Sequence, residues 1–208
     1  MKRLAIDAVV FDLLTALLDS WSVWNRAAGS EDDGLRWRRA YLELTYGCGA
    51  YRPYEDLVRE AAVVAGVTTS SADALAAHWN TLRPWPEVPA VLGDLNARGI
   101  RLGVVTNCSI TLGRQAAERV GVPFSVVVTS EETGYYKPQP QSYRAALDRL
   151  GTDPARTLFV AGSPADIPGA AGVGMPVFWH NRAGLPFVAD TARPLLIADT
   201  LHPLGELV

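Results

Sequence analysis

The sequence predicts an α/β fold in which a doubly wound parallel sheet carries a block of helices inserted after its first strand. Two observations support this prediction. Short apolar runs rich in β-branched residues alternate with helical patterns of about ten to fourteen residues through most of the chain. Residues 20–83 break that alternation, because they contain no convincing strand and have the pattern of successive helices. Strands that alternate with helices imply parallel pairing through right-handed crossovers.

Five segments are predicted as strands of a Rossmann-like core: Leu4–Phe11, Arg101–Thr106, Ser125–Thr129, Thr157–Ala161 and Pro176–Trp179. The first is almost entirely apolar, as expected of a strand that is buried on both faces. Two of the intervening helices have proline near the start and glycine just past the end, Pro89 with Gly99 and Pro140 with Gly151. This asymmetry is typical of helix boundaries.

The inserted helices are predicted at Ser20–Ala28, Gly34–Tyr46, Tyr54–Ala65 and Ser70–Leu82. Gly66 is expected to end the third of them, and Ser70 with Asp73 predicts a variant capping box at the start of the fourth. The following Pro84-Trp85-Pro86 predicts a stiff hinge back into the α/β pattern.

These patterns predict two domains. Residues 17–85 are expected to form a helical cap over the mouth of the sheet, and residues 1–16 with 86–208 to form the α/β core.

Composition excludes several classes of partner. Of the 208 residues 49% are hydrophobic and 20% are charged, the net charge is −3, and no block of lysine and arginine stands out. A nucleic-acid groove or an anionic membrane surface is therefore not expected. No apolar stretch approaches the roughly 20 residues needed to span a bilayer. Cys48 and Cys108 lie far apart without metal-ligand spacing, so we expect a reduced, cytoplasmic location.

Polar residues follow the predicted strands where ligands bind in open parallel sheets, beyond the carboxyl ends. Asp12 ends the first strand, Thr106 and Asn107 end the second, Lys137 follows the third, and Asp166 follows the fourth. Each alone is also explained as a helix cap, a turn residue or a surface charge, but their joint order favours a site. Pairing with Lys137 would keep a buried Asp12 ionised, as a nucleophile must be.

Four segments resemble, in order, the four motifs of the haloacid dehalogenase superfamily: Val9–Asp12, Val104–Asn107, Tyr136–Pro138, and Phe159–Ala161 with Asp166–Ala170. The resemblance spans nearly the whole chain, and the helical insertion lies where that superfamily has its cap. It implies that Asp12 is the catalytic nucleophile of a hydrolase.

Two positions distinguish phosphatases of this superfamily from its 2-haloacid dehalogenases. Phosphatases resemble one another in having a second Asp two residues after the nucleophile, which protonates the leaving alkoxide, and here that position is Leu14. Metal-dependent members have an Asp where this chain has Gly162, which removes one ligand for Mg²⁺. A halide leaves without protonation, so both departures favour dehalogenation.

Two further residues resemble those of the (S)-2-haloacid dehalogenases. Arg38, beside Trp37, lies where that family has an arginine that receives the halide, although a solvated arginine cluster is the alternative. Tyr143 has the spacing of a tyrosine that contacts the lysine, although it also fits the apolar face of a helix.

Three positions depart from that family. Thr15 and Ala16 stand where it usually has Gly and Thr, so Thr15 is expected to substitute from a shifted position. Ser163 stands where an Asn is usual, and it is shorter.

The resemblance implies hydrolysis of a short 2-haloalkanoic acid to a 2-hydroxy acid. Asp12 would attack C2 and expel halide toward Arg38, and water oriented by Asp166 and Ser163 would then hydrolyse the aspartyl ester. Lys137 would stabilise charge on Asp12, with Tyr143 fixing the lysine.

The residues expected to hold the substrate carboxylate are the main-chain amides near Leu13 and Leu14, with Thr106 and Asn107. Trp21 and Trp24 are candidates for the alkyl pocket or for core packing. No cofactor is implied. The partner would be a small organic acid, and apolar cap helices are compatible with a homodimer.

Two alternatives stay open at this stage. The first is a Mg²⁺-dependent phosphatase of a small phosphorylated metabolite. The second is a protein that keeps the fold with little turnover, although retention of Asp12, Lys137 and Asp166 together argues against it.

Overall fold

The computed structural model describes residues 3–187 and 192–208. In these ranges one parallel sheet contains β1 (Ala8–Asp12), β2 (Arg101–Thr106), β3 (Val126–Thr129), β4 (Thr157–Ala161), β5 (Val177–His180) and β6 (Leu196–Ala198). The strand order is β3-β2-β1-β4-β5-β6. Every residue of β1 is buried, as expected for a central strand covered by helices on both faces. The predicted doubly wound α/β fold is therefore confirmed.

The helices of the described residues are α1 (Ser20–Ala28), α2 (Glu31–Gly47), α3 (Tyr54–Val64), α4 (Ser70–His78), α5 (Val88–Ala97), α6 (Ile110–Arg119), α7 (Ser130–Thr133), α8 (Pro140–Leu150), α9 (Asp166–Gly172) and α10 (Leu204–Leu207). Short 3₁₀ turns lie at Trp79–Thr81 and Pro154–Arg156. Both proline–glycine boundaries hold, because α5 and α8 begin at or beside their prolines, and Gly99 (φ 77°) and Gly151 (φ 61°) follow their ends.

The start of the first strand was predicted wrongly, and one strand was missed. Leu4 to Asp7 precede β1 rather than belonging to it, because the Leu4 amide donates to the Leu207 carbonyl at 2.8 Å and the Asp7 amide to the Arg156 carbonyl at 2.8 Å. β6 was not predicted. Its three residues are only half buried or exposed, so the segment lacks the apolar signature of an internal strand.

One helix start and one predicted cap also differ from the structure. α2 begins at Glu31 rather than Gly34, because the Ser30 side chain accepts from the Asp33 amide at 3.1 Å and caps the helix there. α4 does begin at Ser70, but without the predicted capping box. Thr69 is its N-cap without a side-chain bond, and Asp73 pairs with Arg59 at 3.2 Å instead.

Helices α1 to α4 pack onto the core through apolar and polar contacts. A single apolar cluster contains Trp37 and Tyr54 from these helices together with Phe11 and Leu13 from β1 and the residue after it. Direct hydrogen bonds join the Tyr41 hydroxyl to the Asn107 carbonyl (2.8 Å), Ser109 to Glu55 (2.7 Å), and the Tyr136 hydroxyl to the Arg52 carbonyl (2.8 Å). The inserted helices thus lie against the loops that follow β2 and β3. The division of the chain into a cap at residues 17–85 and a core stays a prediction.

Within the described ranges, no helix combines the length and the apolar character required to cross a lipid bilayer.

Candidate active site

Asp12 is the last residue of β1, and the turn after it surrounds one of its carboxylate oxygens. Oδ2 accepts hydrogen bonds from the Thr15 amide (2.9 Å), the Thr15 hydroxyl (2.5 Å) and the Ala16 amide (3.2 Å). Thr15 therefore bonds the carboxylate from the shifted position that the sequence suggested. In the sequence, this turn is indicated by a hydroxyl residue, Thr15, three positions after the aspartate that ends the strand. The other oxygen, Oδ1, faces Lys137.

Lys137 joins the two carboxylates of the site. Its Nζ lies 2.6 Å from Asp12 Oδ1 and 3.1 Å from Asp166 Oδ1, and its side chain is only 3% exposed. Burial alone would lower the pKa of Lys137, but the two carboxylates raise it, so the ammonium stays charged. The structure thus brings together the three residues that were predicted to be catalytic.

The same environment gives the two carboxylates different pKa values. Burial opposes ionisation of Asp12, but Lys137 and the hydrogen bonds from Thr15 keep the pKa of Asp12 below its usual range. Burial and the nearby charge of Asp12 raise the pKa of Asp166 to about 6, against the opposing effect of Lys137. Near neutral pH, the Asp12 carboxyl is therefore ionised, and Asp166 has a pKa at which it can exchange a proton.

Asn107 supports the lysine loop through both atoms of its amide, which differs from its predicted role. Its Oδ1 accepts from the Lys137 amide at 2.8 Å and from the Ser130 hydroxyl at 3.0 Å, and its Nδ2 donates to the Lys137 carbonyl at 3.2 Å. Asn107 still lines the cavity, but these bonds occupy much of its hydrogen-bonding capacity.

Tyr143 also differs from expectation, since its hydroxyl donates to the main-chain carbonyl of Asp166 at 3.3 Å rather than holding the lysine. Thr106 and Ser163 both line the cavity. The Thr106 hydroxyl donates to the Cys108 sulfur at 3.4 Å, and the Ser163 hydroxyl accepts from the Ala165 amide at 3.3 Å. The side chain of Leu13 is fully buried, which leaves only its main chain for ligand binding, whereas Leu14 lines the cavity.

Gly162 is required by the turn that follows Asp12. A Cβ at this position would overlap the Thr15 hydroxyl and the Ala16 amide nitrogen. A carboxylate therefore cannot be placed here while Thr15 bonds Asp12. With glycine at position 162, Asp12 and Asp166 are left as the carboxylates beside this turn, which is fewer oxygen ligands than Mg²⁺ prefers, and one oxygen of each already contacts the Lys137 ammonium. Among the described residues no cluster of three His, Cys, Asp or Glu could hold a metal ion.

Arg38 is a buried guanidinium on the inner face of α2. Its Nη1 donates to the Ser20 hydroxyl at 3.0 Å, and its Cζ lies 3.9 Å from the centroid of the Trp21 ring. In the part of the chain that the structure describes, no carboxylate lies within 4.0 Å of it. Burial lowers the pKa of Arg38, while the charge of Asp12 opposes this. Since buried charges are normally paired, Arg38 is a candidate for binding an anion. Arg39 beside it is exposed, so the predicted solvated cluster does not include Arg38.

Arg38 and Asp12 line the same small cavity, of about 60 Å³. Its other lining residues are Leu14, Thr15, Trp21, Tyr41, Leu42, Tyr46, Thr106, Asn107, Lys137, Ser163, Asp166 and Leu185. Since a water molecule needs roughly 10–15 Å³ on this measure, the cavity has room for a ligand of a few heavy atoms.

The sequence reasoning missed Tyr41, Leu42 and Tyr46. They lie three, four and eight residues after Arg38 and therefore share its face of α2, which was the available signal. Burial raises the pKa of the Tyr46 hydroxyl to about 12, so it stays protonated beside Asp166 and Ser163. Leu185 also lines the cavity, and no pattern in the sequence indicated it.

The sequence and the fold of this chain are similar to those of known proteins. The sequence model described as haloacid dehalogenase-like hydrolase matches residues 6–174. Haloacetate dehalogenase H-2 of Moraxella sp. (strain B) is 29% identical over 100% of this chain and 99% of its own length. Phosphoglycolate phosphatase of Rhodospirillum rubrum is 35% identical over 85% of this chain and 71% of its own length. A crystal structure of an L-2-haloacid dehalogenase is 27% identical, covers 97% of each chain and has a TM-score of 0.87.

Proposed function

Because the chain belongs to the haloacid dehalogenase-like hydrolase family, we propose that it hydrolyses the carbon–halogen bond of short 2-haloalkanoic acids. The observation that carries the proposal is the buried guanidinium of Arg38, which has no carboxylate within 4.0 Å among residues 3–187 and 192–208 and shares a small cavity with the Asp12 carboxylate. A nucleophile and an anion-binding group in one cavity suit a displacement whose leaving group departs as an anion.

The first step forms an ester on Asp12. Oδ1 is the attacking oxygen, since Oδ2 already accepts three hydrogen bonds. As the bond from Oδ1 to C2 forms, the carbon–halogen bond breaks and the halide leaves with its electron pair toward Arg38. Attack from the side opposite the halide inverts the configuration at C2.

The second step hydrolyses that ester. Water attacks Cγ of Asp12 and gives its proton to Asp166, and the carbonyl oxygen of the ester, Oδ2, gains negative charge. The Thr15 amide, the Thr15 hydroxyl and the Ala16 amide already point at Oδ2, so they form a ready-made oxyanion hole. As the adduct collapses, the bond from Cγ to the ester oxygen breaks, and that oxygen leaves in the 2-hydroxy acid with the proton that Asp166 returns. The remaining proton of the water is released, which restores the Asp12 carboxylate.

The phosphatase alternative is disfavoured by the residues around Asp12, even though several relatives are phosphatases. Leu14 cannot protonate an alkoxide, and the Thr15 turn occupies the space that a metal-binding carboxylate would need at Gly162. The proposed reaction uses only groups of this chain, a small organic acid and water. Residues 17–85 are proposed to act as the cap that closes the cavity.

The test is halide release from chloroacetate and (S)-2-chloropropionate, with and without a metal chelator. We expect chelator-insensitive release that Asp12→Asn abolishes and that Arg38→Ala lowers by about 10²-fold or more, the usual effect of removing a group that stabilises developing charge. Arg39→Ala is the matched control, since it removes an exposed arginine from the same helix.

Two results would overturn the proposal. One is the absence of halide release from a panel of short haloacids. The other is chelator-sensitive release of phosphate from phosphoglycolate, dependent on Asp12, which would establish the phosphatase instead.

A further inference from the structure

Trp85 lies in the hinge that joins the inserted helices to α5, and it contacts the turn that follows the nucleophile. Its main-chain amide donates to the Leu17 carbonyl at 3.0 Å, and its indole Nε1 donates to the Thr15 carbonyl at 3.1 Å. The neighbouring Pro84 forms an antiparallel bridge with Leu18. The proposed mechanism does not use this tryptophan.

The Thr15 carbonyl and the Ala16 N–H belong to the same peptide group. The indole N–H donates to one end of that group, and the other end donates to Asp12 Oδ2 at 3.2 Å. A donor at a peptide oxygen polarises the group and strengthens its N–H as a donor. The indole N–H is thus one peptide group away from the nucleophile.

Residues behind the hinge hold the indole and the turn in place. The Arg182 guanidinium lies 4.8 Å from the centroid of the Trp85 ring, and its Nη1 donates to Glu87 Oε1 at 3.0 Å. The buried His180 ring makes a 2.8 Å hydrogen bond through Nδ1 to the next carbonyl, that of Ala16. Two consecutive carbonyls of the turn are therefore held by side chains from outside it.

We propose that Trp85 is a positioning residue for ester hydrolysis, in which its indole N–H polarises the Thr15–Ala16 peptide and so strengthens the Ala16 N–H in the oxyanion hole. This inference rests on the proposed function. Because Trp85 lies in the hinge, the alignment of the oxyanion hole also depends on how the inserted helices pack against the core.

The test removes the indole N–H and keeps an aromatic ring for Arg182, in the variant Trp85→Phe. The matched control is Trp79→Phe, because the Trp79 indole also donates to a carbonyl of the core, that of Leu112 at 2.9 Å, but away from the nucleophile. We expect Trp85→Phe to lower kcat by about three- to tenfold without raising KM, since one oxyanion donor is weakened rather than lost.

Two measurements separate positioning from a general structural role. Intact-mass analysis during turnover should show more aspartyl ester in Trp85→Phe than in wild type or Trp79→Phe, because halide release is spared and hydrolysis is slowed. The amide proton of Ala16 should shift upfield in the NMR spectrum of Trp85→Phe, because its hydrogen bond weakens, and should be unchanged in Trp79→Phe. If Trp85→Phe unfolds, benzothienylalanine at position 85 removes the N–H from an otherwise isosteric ring.

The inference is wrong if Trp85→Phe matches Trp79→Phe in kcat, ester level and the Ala16 amide shift, or if it changes only KM. If wild type releases no halide, the proposed function fails separately, and the Ala16 amide shift alone then decides whether Trp85 acts on this peptide.

Discussion

Asp12 and Asp166 contact the same ammonium group, and in the proposed mechanism formation of the ester changes the pKa of Asp166. In the free protein the charge of Asp12 is one of the causes that raise the pKa of Asp166 to about 6, after burial. Esterification removes that charge, while Lys137 remains 3.1 Å from Asp166. The pKa of Asp166 must therefore fall in the ester, which leaves Asp166 ionised when it has to accept a proton from water.

Asp166→Asn is therefore expected to block the second step and spare the first. The variant should release at most one halide per chain in a rapid burst and then stop, with the ester visible by intact-mass analysis. In wild type, kcat should rise with pH through a midpoint below about 6, because only ionised Asp166 accepts the proton. Stopped-flow halide detection across this pH range checks both results.

Ser163→Ala provides the comparison, since it removes a hydroxyl from the same cavity wall without removing the base. A multiple-turnover Asp166→Asn variant, or one without any burst, would contradict the assignment of the base to the second step.

At the level of the elements, the alternation of strands and helices predicted the fold, because each internal strand is a continuous apolar run. β6 escaped prediction because its three residues are only half buried or exposed. Leu4 to Asp7 were assigned to β1 because their apolar pattern does not reveal that their main chain bonds Leu207 and Arg156. The local hydrophobic pattern thus located the internal strands but not the edge strand β6 or the exact start of β1.

For the site, the sequence predicted which charged residues lie together but not all of their contacts. Asp12, Lys137 and Asp166 were predicted to lie together because ligands bind beyond the carboxyl ends of parallel strands, and this rule depends only on topology. The sequence could not show that Asn107 would bond the lysine loop at both ends of its amide, because this requires the actual distance between two loops. For the same reason Trp85 was interpreted only as part of a hinge.

α2 supplies the inner wall of the cavity, and its side chains should set the length of the substrate. Leu42, one turn after Arg38, lines the cavity. Leu42→Ala is expected to raise kcat/KM for 2-chlorobutyrate relative to chloroacetate by roughly 10-fold or more, since one methylene in an apolar pocket is worth about 1–3 kcal/mol. Initial rates of halide release on the two acids give this ratio.

Leu44→Ala is the matched control, because Leu44 packs against the apolar cluster from the same helix but does not line the cavity. An equal shift in preference for both variants would mean that the change acts through general loosening of α2 rather than through the cavity.

Across the whole molecule, the inserted helices and the sheet share their apolar core. Trp37, Tyr54 and Trp79 belong to the same buried cluster as Phe11 and Leu13. Side-chain hydrogen bonds, such as that from the Tyr136 hydroxyl to the Arg52 carbonyl, cross the same boundary. This continuity makes separate unfolding of the inserted helices costly, because it would expose apolar surface on both sides.

We therefore expect one cooperative unfolding transition, even though a chain of 208 residues exceeds the usual size of two-state domains. Five of the six tryptophans, all except Trp179, precede α5, so fluorescence reports mainly on the inserted helices and their hinge. Far-UV circular dichroism reports on all helices, and the two midpoints in urea should coincide. Tyr136→Phe should lower both midpoints equally, at a cost of about 1 kcal/mol for one lost hydrogen bond. A fluorescence transition that precedes the dichroism transition would instead show that residues 17–85 unfold on their own.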